Sequence, residues 1–304
     1  MCCLFGIIDY GNQLTARQKN DLITALSIAA EERGTDATGI AYNDRGHLRI
    51  YKRPFAAHHL HFHIPGEASI VMGHTRMATQ GDARRNCNNH PFLGHVKNVD
   101  FALAHNGVLY NDYQLRARLK LPDSPIETDS YIAVQLIEKK KVLDFNSLKA
   151  MAEALEGSFT MTVLSETDRL YFVKGDSPLT VCRFPKAGVY LYASTAEILN
   201  SALRGYPNRL GEGVEIPVSC GELLSIDKVG SIERSAFDAA NLLPYPRYYP
   251  IRFSDDPYVQ ELKAMASCFG YTAEDIDELL LCGFMPEDIE EYFYECRGTK
   301  ECLC

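Results

Sequence analysis

Short apolar runs, each bounded by polar residues or glycine, recur along the first three-quarters of the chain. Runs of this length and composition are typical of β-strands, whereas apolar residues spaced three and four apart indicate helices. The pattern predicts strands over 4–9, 38–43, 48–52, 69–73, 101–104, 158–164, 169–174, 179–183, 189–193 and 222–226, and helices over 15–32, 112–120, 128–139 and 146–155. Because strands at both ends enclose the helices without regular βαβ alternation, an α+β fold with two stacked sheets between helical layers fits best.

The pattern changes near the C-terminus, where three prolines fall between residues 244 and 250. This proline density excludes regular structure and predicts an extended linker. Beyond it, the spacing predicts a helix over 257–268, a second helix opened by a capping box at Thr272 and Asp275, and a third beginning near Pro286. The predicted organisation is a domain over 2–240, a linker over 241–252 and a helical tail over 253–304.

Charge separates this tail from the rest of the chain. The formal net charge is −9, and residues 253–304 contain 13 acidic and 3 basic residues, so the remainder is nearly neutral. A chain with this balance is not expected to bind nucleic acid or an anionic membrane surface. No apolar run approaches the roughly 18 residues of a transmembrane helix, and no secretory signal is evident. We therefore expect a cytoplasmic protein whose ten cysteines stay reduced.

Two groups of metal-ligating residues need weighing. Cysteines near the C-terminus match no common zinc spacing, and the histidine-rich segment reads more readily as a solvated loop than as a metal site. The residues concerned are Cys296, Cys302 and Cys304, and His58, His59, His61 and His63. The sequence predicts no metal and no cofactor.

The N-terminus offers a candidate nucleophile. If Met1 is removed, Cys2 carries a thiol and a free α-amine on one residue, with ordinary pKa values of roughly 8.5 and 7.7–8.0 respectively. The thiolate could then attack a carbonyl carbon while the amine accepts a proton. A small residue after the initiator Met is nevertheless common in proteins without any such chemistry.

Five polar segments follow, and each has a plain structural interpretation when taken alone. Arg76 could belong to a structural ion pair, Asn106-Gly107 could form a turn, and Asp129 could be an acid in the first turn of a helix. The segments are 32–40, 73–81, 88–91, 104–107 and 127–130.

Together, in order and spacing, these segments resemble the glutaminase domain of class II glutamine amidotransferases. They are similar to the corresponding domains of glucosamine-phosphate synthase and amidophosphoribosyltransferase, which are N-terminal nucleophile hydrolases. The resemblance covers about residues 2–226, with further matching stretches at 155–159, 175–179 and 192–194. It implies a four-layer αββα sandwich, followed here by a small helical C-terminal extension.

The resemblance also implies a role for individual residues. Cys2 corresponds to the nucleophile, and the side-chain amide of Asn106 with the backbone N–H of Gly107 corresponds to the oxyanion site. Arg76 and Asp129 correspond to the groups that hold the α-carboxylate and α-ammonium of the substrate. The implied catalytic residues are Cys2, Asn106, Gly107 and Arg33, and the implied substrate-binding residues are Arg76, Thr79, His90 and Asp129.

Some positions depart from the family pattern. Cys3 stands where Gly is usual, Met77 where Trp is frequent, Gln80 where His is frequent, and Phe92 where a second His follows the proline. The Trp position lies toward the ammonia channel in glucosamine-phosphate synthase. Met77 therefore puts channel gating in doubt more than the hydrolysis of glutamine.

The sequence thus predicts an amidotransferase that splits L-glutamine into glutamate and ammonia through a Cys2 thioester. Only about 80 residues follow the resemblance, so we expect a separate acceptor-processing protein, docked through the acidic tail. Two alternatives stay open: a catalytically silent glutamine-binding or scaffold protein, and an amidohydrolase that acts on another amide.

Overall fold

The structure is a computed structural model that describes residues 2–204, 210–242 and 257–281, together with residues 286, 289, 290 and 293. The chain divides into two compact units, Met1–Pro244 and Tyr245–Cys304. Most of the linker predicted over 241–252 lies outside the described residues, so that boundary stays a prediction.

The first unit contains two antiparallel sheets, with strands numbered here in chain order. The seven-stranded sheet has the spatial order β11-β9-β10-β1-β4-β2-β3, and the six-stranded sheet has the order β13-β12-β8-β7-β6-β5. The first sheet consists of β1 (Cys3–Asp9), β2 (Ala37–Asp44), β3 (His47–Arg53), β4 (Ile70–Arg76), β9 (Thr180–Phe184), β10 (Val189–Ala193) and β11 (Val214–Glu215). The second consists of β5 (Phe92–Val96), β6 (Val99–Leu109), β7 (Gly157–Ser165), β8 (Arg169–Lys174), β12 (Glu222–Asp227) and β13 (Ile232–Ala236).

Five helices accompany these sheets in the described part of the first unit. They are α1 (Ala16–Ala29), α2 (Asp112–Leu119), α3 (Tyr131–Lys140), α4 (Phe145–Ala154) and α5 (Ala196–Leu203). Thr15 forms a capping box with Gln18 at the start of α1, and Asp144 forms one with Ser147 at the start of α4. These side chains satisfy backbone N–H groups that have no partner within the helix, which fixes where each helix begins.

Alternating residues of the strands build three separate apolar cores. Phe5 and Ile7 of β1 pack with α1 and α5, whereas Leu4 and Ile8 of the same strand face the second sheet. In the second sheet, Leu103 packs in a third core with α3 and α4. Because each sheet buries both faces, the layers follow the order helix, sheet, sheet, helix. The predicted α+β, four-layer αββα fold is confirmed.

A buried ion pair joins the end of β1 to α1. Asp9 and Lys19 lie 3.0 Å apart, with side chains that are 0% and 1% exposed. The Asp9 carboxylate also accepts hydrogen bonds from the backbone N–H groups of Gln13 and Leu14, and the Lys19 ammonium donates to the carbonyl oxygens of Gly66 and Ala68. Each buried charge is therefore paired and hydrogen-bonded, which offsets the cost of removing it from water.

The second unit is a small helical assembly. Its described elements are α6 (Pro257–Ala266), a 3-10 turn (Ser267–Phe269) and α7 (Ala273–Leu281). The predicted capping box is present, since Thr272 and Asp275 exchange side-chain to backbone hydrogen bonds of 2.7 and 3.1 Å. Its own apolar core contains Val259, Leu262, Ala266, Tyr271, Ile276, Ile289 and Phe293.

Several elements differ from the prediction. The sequence pattern missed β5, α5, β11 and β13 and placed the start of α3 at residue 128 instead of 131. The predicted helix over 257–268 ends at Ala266. Within the described ranges, no helix is long and apolar enough to cross a membrane.

Candidate active site

Cys2 lies directly before β1, a central strand of the seven-stranded sheet, at the end of the sheet where this strand begins. In this sheet Cys3 pairs with Thr75, and Arg76 pairs with Ala37. The start of β1, the end of β4 and the start of β2 therefore lie together at this end of the sheet. Antiparallel pairing thus brings Cys2 and Arg76 together although 73 residues separate them. The loop that follows β4 lies over the same end of the sheet.

The backbone and the thiol of Cys2 are both held. The Arg33 Nε–H donates to the Cys2 carbonyl oxygen over 3.0 Å, and the Cys2 Sγ lies 3.5 Å from the carbonyl oxygen of Met77. Burial raises the pKa of the Cys2 thiol, the backbone of Met77 and the charge of Arg76 lower it, and the charge of Asp129 raises it further. Arg76 and Asp129 are therefore close enough to act electrostatically on the thiol.

Asn106 and Gly107 lie within β6 and do not form a turn. They pair with Thr160 and Phe159 of β7. Gly107 has a φ of +142°, and a Cβ at this position would lie 1.9 Å from the Ser158 carbonyl oxygen. Only glycine fits there, because any side chain would collide with the neighbouring strand in a backbone conformation that L-residues avoid.

The Asn106 side chain is buried and points toward the strand that follows Cys2. Its Nδ2 group donates to the Ser194 Oγ over 3.3 Å, and the same oxygen accepts the Leu4 backbone N–H over 2.9 Å. Asn106 is 1% exposed and Ser194 0% exposed. One serine hydroxyl thus connects β1 of the first sheet with β6 of the second.

Arg76 is 2% exposed, and its guanidinium is oriented by three acceptors. Nη1 donates to the Asn89 Oδ1 over 2.7 Å, while Nη2 donates to the carbonyl oxygens of Gln80 and Gly81. A guanidinium has five N–H donors in a rigid plane. These three contacts leave two donors for a ligand.

Asp129 is 4% exposed and similarly fixed. Its Oδ2 accepts the Leu109 N–H over 2.7 Å, and its Oδ1 accepts the Ser130 N–H over 2.7 Å and the Ser130 hydroxyl over 3.1 Å. An ionised carboxylate has about four acceptor positions, so one remains. Asp129 precedes α3 and its N-cap Ser130, so it is not the first-turn helix acid that the isolated motif allowed.

Gln80 connects these two charged residues. Its backbone oxygen accepts from Arg76, and its side-chain Oε1 accepts the Asp129 N–H over 3.1 Å. One loop residue therefore contacts both the Arg76 guanidinium and the backbone of Asp129. In the sequence, Gln80 stands out only as a departure from the family pattern.

Thr79 and His90, the other predicted substrate-binding residues, occupy different environments. Thr79 is exposed on the loop after β4. His90 is 4% exposed, and its ring packs between those of His74 and Phe92, with centroids 4.2 and 4.4 Å away. Neither ring nitrogen of His90 has a hydrogen-bond partner. Contact of either residue with substrate stays a prediction.

Three buried histidines lie behind the site and are held in their neutral form. Burial lowers the pKa of His74 to about 3, and it also lowers the pKa values of His90 and His105. His74 shares a hydrogen bond of 2.9 Å with the His105 carbonyl oxygen. Protonation would place positive charge in this interior beside Arg76.

We expect this cluster to make stability depend on pH. Below about pH 6.5 the unfolded chain binds protons on these histidines, while the folded chain does not. The free energy of unfolding is therefore unaffected by them above pH 6.5 and decreases as the pH falls from 6.5 toward 3. Each such histidine contributes a slope of about 1.4 kcal/mol per pH unit. Urea denaturation at pH 7.5, 6.0 and 5.0 should show a smaller slope for His90→Gln than for wild type. The exposed control His61→Gln should keep the wild-type slope, and equal slopes for all three proteins would contradict the expectation.

No metal centre is evident in the described part of the chain. No group of three or more His, Cys, Asp or Glu side chains there could hold an ion. In the histidine-rich segment, the His58 Nδ1 lies 3.0 Å from both carboxylate oxygens of Glu31. Cys296, Cys302 and Cys304 lie outside the described residues.

Comparison with known proteins agrees with this geometry. Residues 74–201 match the family model of a glutamine amidotransferase domain. Over this stretch the chain is similar to glutamine amidotransferase domains. The resemblance predicted from the sequence motifs, to class II enzymes with an N-terminal cysteine nucleophile, is thereby confirmed.

Curated relatives place this amidotransferase domain within longer proteins. The glutamine–fructose-6-phosphate aminotransferase (isomerizing) of Clostridium acetobutylicum is 30% identical over 205 residues, covering 64% of this chain and 32% of the relative. The protein of the same name from Oceanobacillus iheyensis is 34% identical over 184 residues, covering 58% of this chain and 30% of the relative. The chain thus spans about a third of the length of these relatives.

Solved structures share the fold of the amidotransferase domain. A glutamine phosphoribosylpyrophosphate amidotransferase from B. subtilis, complexed with ADP and GMP, has a TM-score of 0.61 at 22% identity, covering 78% of this chain and 49% of its own. An allosteric regulatory enzyme of purine biosynthesis has a TM-score of 0.62 at 23% identity, with the same coverage.

The sequence did not identify the residues that orient the side chains of Arg76, Asp129 and Asn106. Asn89, Gln80 and Ser130 contact Arg76 or Asp129, and Ser194 contacts Asn106. Asn89 and Ser194 fall in segments that the resemblance covers, which was the available signal. Their partners depend on strand pairing and loop closure, so no local pattern identifies the contacts.

Proposed function

We propose that the domain hydrolyses the side-chain amide of L-glutamine through a thioester on Cys2. The Cys2 thiolate attacks the amide carbon, the carbon–nitrogen bond breaks, and ammonia leaves with a proton. Water then hydrolyses the thioester to give glutamate and the free thiol. After removal of Met1, the α-amine of Cys2 can accept the thiol proton and return it to the leaving group.

The observation that carries this proposal is the pair of buried opposite charges beside Cys2. Arg76 keeps two N–H donors, and Asp129 keeps one acceptor position after its protein contacts. An α-amino acid presents a carboxylate and an ammonium group at a fixed separation. A guanidinium fork suits the carboxylate, and a carboxylate suits the ammonium.

Asn106 and Gly107 suit the second requirement of the reaction, which is to stabilise the negative oxygen formed during attack. The proposed donors are one Nδ2–H of Asn106 and the backbone N–H of Gly107. Rigid donors aimed at a developing charge lower the barrier because they need no reorganisation during the reaction. Arg33, which donates to the Cys2 carbonyl oxygen, would hold the nucleophile in place.

The test measures chemistry and substrate class together. Ammonia release is followed with L-glutamine, L-asparagine and a γ-glutamyl anilide, and diazo-oxo-norleucine labelling is mapped by mass spectrometry. We expect release from L-glutamine, a single adduct on Cys2 and an intact mass that lacks Met1. Binding of L-glutamine without ammonia release would favour the silent binding protein, and preference for another amide would favour the alternative hydrolase.

We expect Arg76→Lys to raise the KM for L-glutamine by about 10- to 100-fold, with a smaller change in kcat. Lysine keeps the charge but loses the planar fork, and hydrogen bonds to charged groups contribute about 1.5–3 kcal/mol each. The matched control is Arg84→Lys, since the Arg84 side chain is 91% exposed and pairs with Asp82. A KM for Arg76→Lys within twofold of wild type would contradict the proposed carboxylate site.

We further propose that a separate protein receives the ammonia and docks through the acidic tail over 253–304. Free ammonia is mostly protonated at neutral pH and is then a poor nucleophile, so direct transfer benefits the acceptor reaction. The 13 acidic and 3 basic residues of the tail suit a basic partner surface. Co-purification should yield an acceptor-binding protein that dissociates at high salt, since salt screens surface charges. A cytoplasmic location also stays a prediction.

A further inference from the structure

Ser194 occupies a junction that the proposed chemistry does not yet use. It follows directly after β10 and is 0% exposed. Its backbone N–H donates to the Leu4 carbonyl oxygen over 2.9 Å, and its Oγ accepts the Leu4 N–H over 2.9 Å. Ser194 is therefore fixed to the strand that begins one residue after Cys2.

Both acceptor positions of the Ser194 hydroxyl are used. A serine hydroxyl has two acceptor positions and one donor. The N–H of Leu4 and the Nδ2 group of Asn106 occupy the two acceptor positions. The Cys3 thiol, which is 0% exposed, donates to the Leu4 carbonyl oxygen over 3.3 Å.

This arrangement places the Nδ2 end of the Asn106 amide against Ser194. The Ser194 Oγ accepts the Leu4 N–H over 2.9 Å, and its second acceptor position takes one Nδ2–H of Asn106 over 3.3 Å. One Nδ2–H is thereby consumed, and the second stays available. A rotated amide would present an acceptor, which repels an oxyanion.

We propose that Ser194 is a positioning residue for the oxyanion site, which orients the side-chain amide of Asn106 and holds it at a fixed distance from the Cys2 strand. This inference rests on the proposed glutaminase function. Ser194 does not touch the substrate; it acts through Asn106.

The experiment compares Ser194→Ala with Ser225→Ala in the full chain. Ser225 is also 0% exposed, and its Oγ accepts a hydrogen bond from Arg169. Both residues belong to the second sheet, and neither contacts Cys2 or Asn106. We expect Ser194→Ala to lower kcat about 10- to 100-fold with KM within twofold, since misplaced catalytic groups cost this much. Ser225→Ala should keep both constants within twofold of wild type.

Two further measurements separate positioning from general damage. Alkylation of Cys2 by iodoacetamide uses no oxyanion site, so its rate should stay within twofold in Ser194→Ala. In an Asn106→Ala background, Ser194→Ala should lower kcat by less than twofold, because residues that act as one unit are not additive. Ser194→Cys, with a weaker acceptor of similar size, should give an intermediate kcat and serves if the alanine variant folds poorly.

The third readout does not require activity. The two side-chain N–H signals of Asn106 are identified in a ¹⁵N spectrum by their loss in Asn106→Asp. Ser194→Ala should shift one of them, and Ser225→Ala should shift neither. Unchanged Asn106 signals in Ser194→Ala, or an additive loss of kcat in the Asn106→Ala background, would overturn the inference. A wild-type protein that releases no ammonia would refute the proposed function, while the amide signals would still decide the role of Ser194.

Discussion

The Cys2→Ala variant is expected to release ammonia from L-glutamine at least about 10⁴-fold more slowly than wild type. Removing the nucleophile of a covalent hydrolase eliminates the intermediate, and only binding and the oxyanion donors remain to assist water. The variant should still bind L-glutamine, since Arg76 and Asp129 are held by other residues. Steady-state ammonia release and calorimetric binding measure the two effects separately.

Other cysteines provide the controls for this experiment. Cys182→Ala and Cys220→Ala remove half-buried and exposed thiols, and neither residue contacts the described site. Both should keep kcat within twofold of wild type. A Cys2→Ala protein that hydrolyses L-glutamine at the wild-type rate would refute the thioester mechanism, whatever the behaviour of these controls.

Lys19→Met is expected to lower the free energy of unfolding by about 3–5 kcal/mol. Methionine fills a similar volume but leaves the Asp9 carboxylate buried without its cation, and an uncompensated buried charge costs this much. The pair is almost fully buried, so solvent does not screen it. Urea denaturation at pH 7.5 measures the change directly.

A surface ion pair is the matched control for Lys19. Lys149 and Glu153 lie 3.8 Å apart in α4 with side chains 48% and 34% exposed, so Lys149→Met should change stability by about 0.5 kcal/mol or less. Asp9→Asn combined with Lys19→Met should recover part of the loss, because it removes the uncompensated charge. A Lys19→Met protein as stable as wild type would show that the pair contributes no net stabilisation.

Elements with a strong local pattern could be predicted from the sequence. The apolar spacing of α1 and the buried runs of β1 and β10 identify these elements without tertiary information. The two-residue β11 and the edge strand β13 carry little apolar signal, because they bury few side chains. In α3, the start moved because the side chain of Asp129 accepts hydrogen bonds from Leu109 and Ser130 and so lies outside the helix.

The site divides in the same way. The motifs around Cys2, Arg76, Asn106 and Asp129 are local, and their order along the chain was enough to predict the class of domain. The isolated interpretation of Asn106-Gly107 as a turn is wrong, since the pair lies inside a strand. Strand pairing over long sequence separations decided this, and no local pattern reports it.

The sequence by itself thus determined the residue types for the chemistry: a thiol after the initiator Met, an amide beside a glycine, and one cation and one anion. Secondary-structure propensity and side-chain chemistry depend on residue type and on neighbours in the sequence, so the sequence alone is enough to predict them. Only the tertiary structure decided that Gln80 links Arg76 to Asp129 and that Ser194 links Asn106 to β1. Those contacts form only when the two sheets pack together and the loop after β4 covers the ends of their strands. The hydrogen bonds therefore depend on how distant parts of the chain are arranged in space.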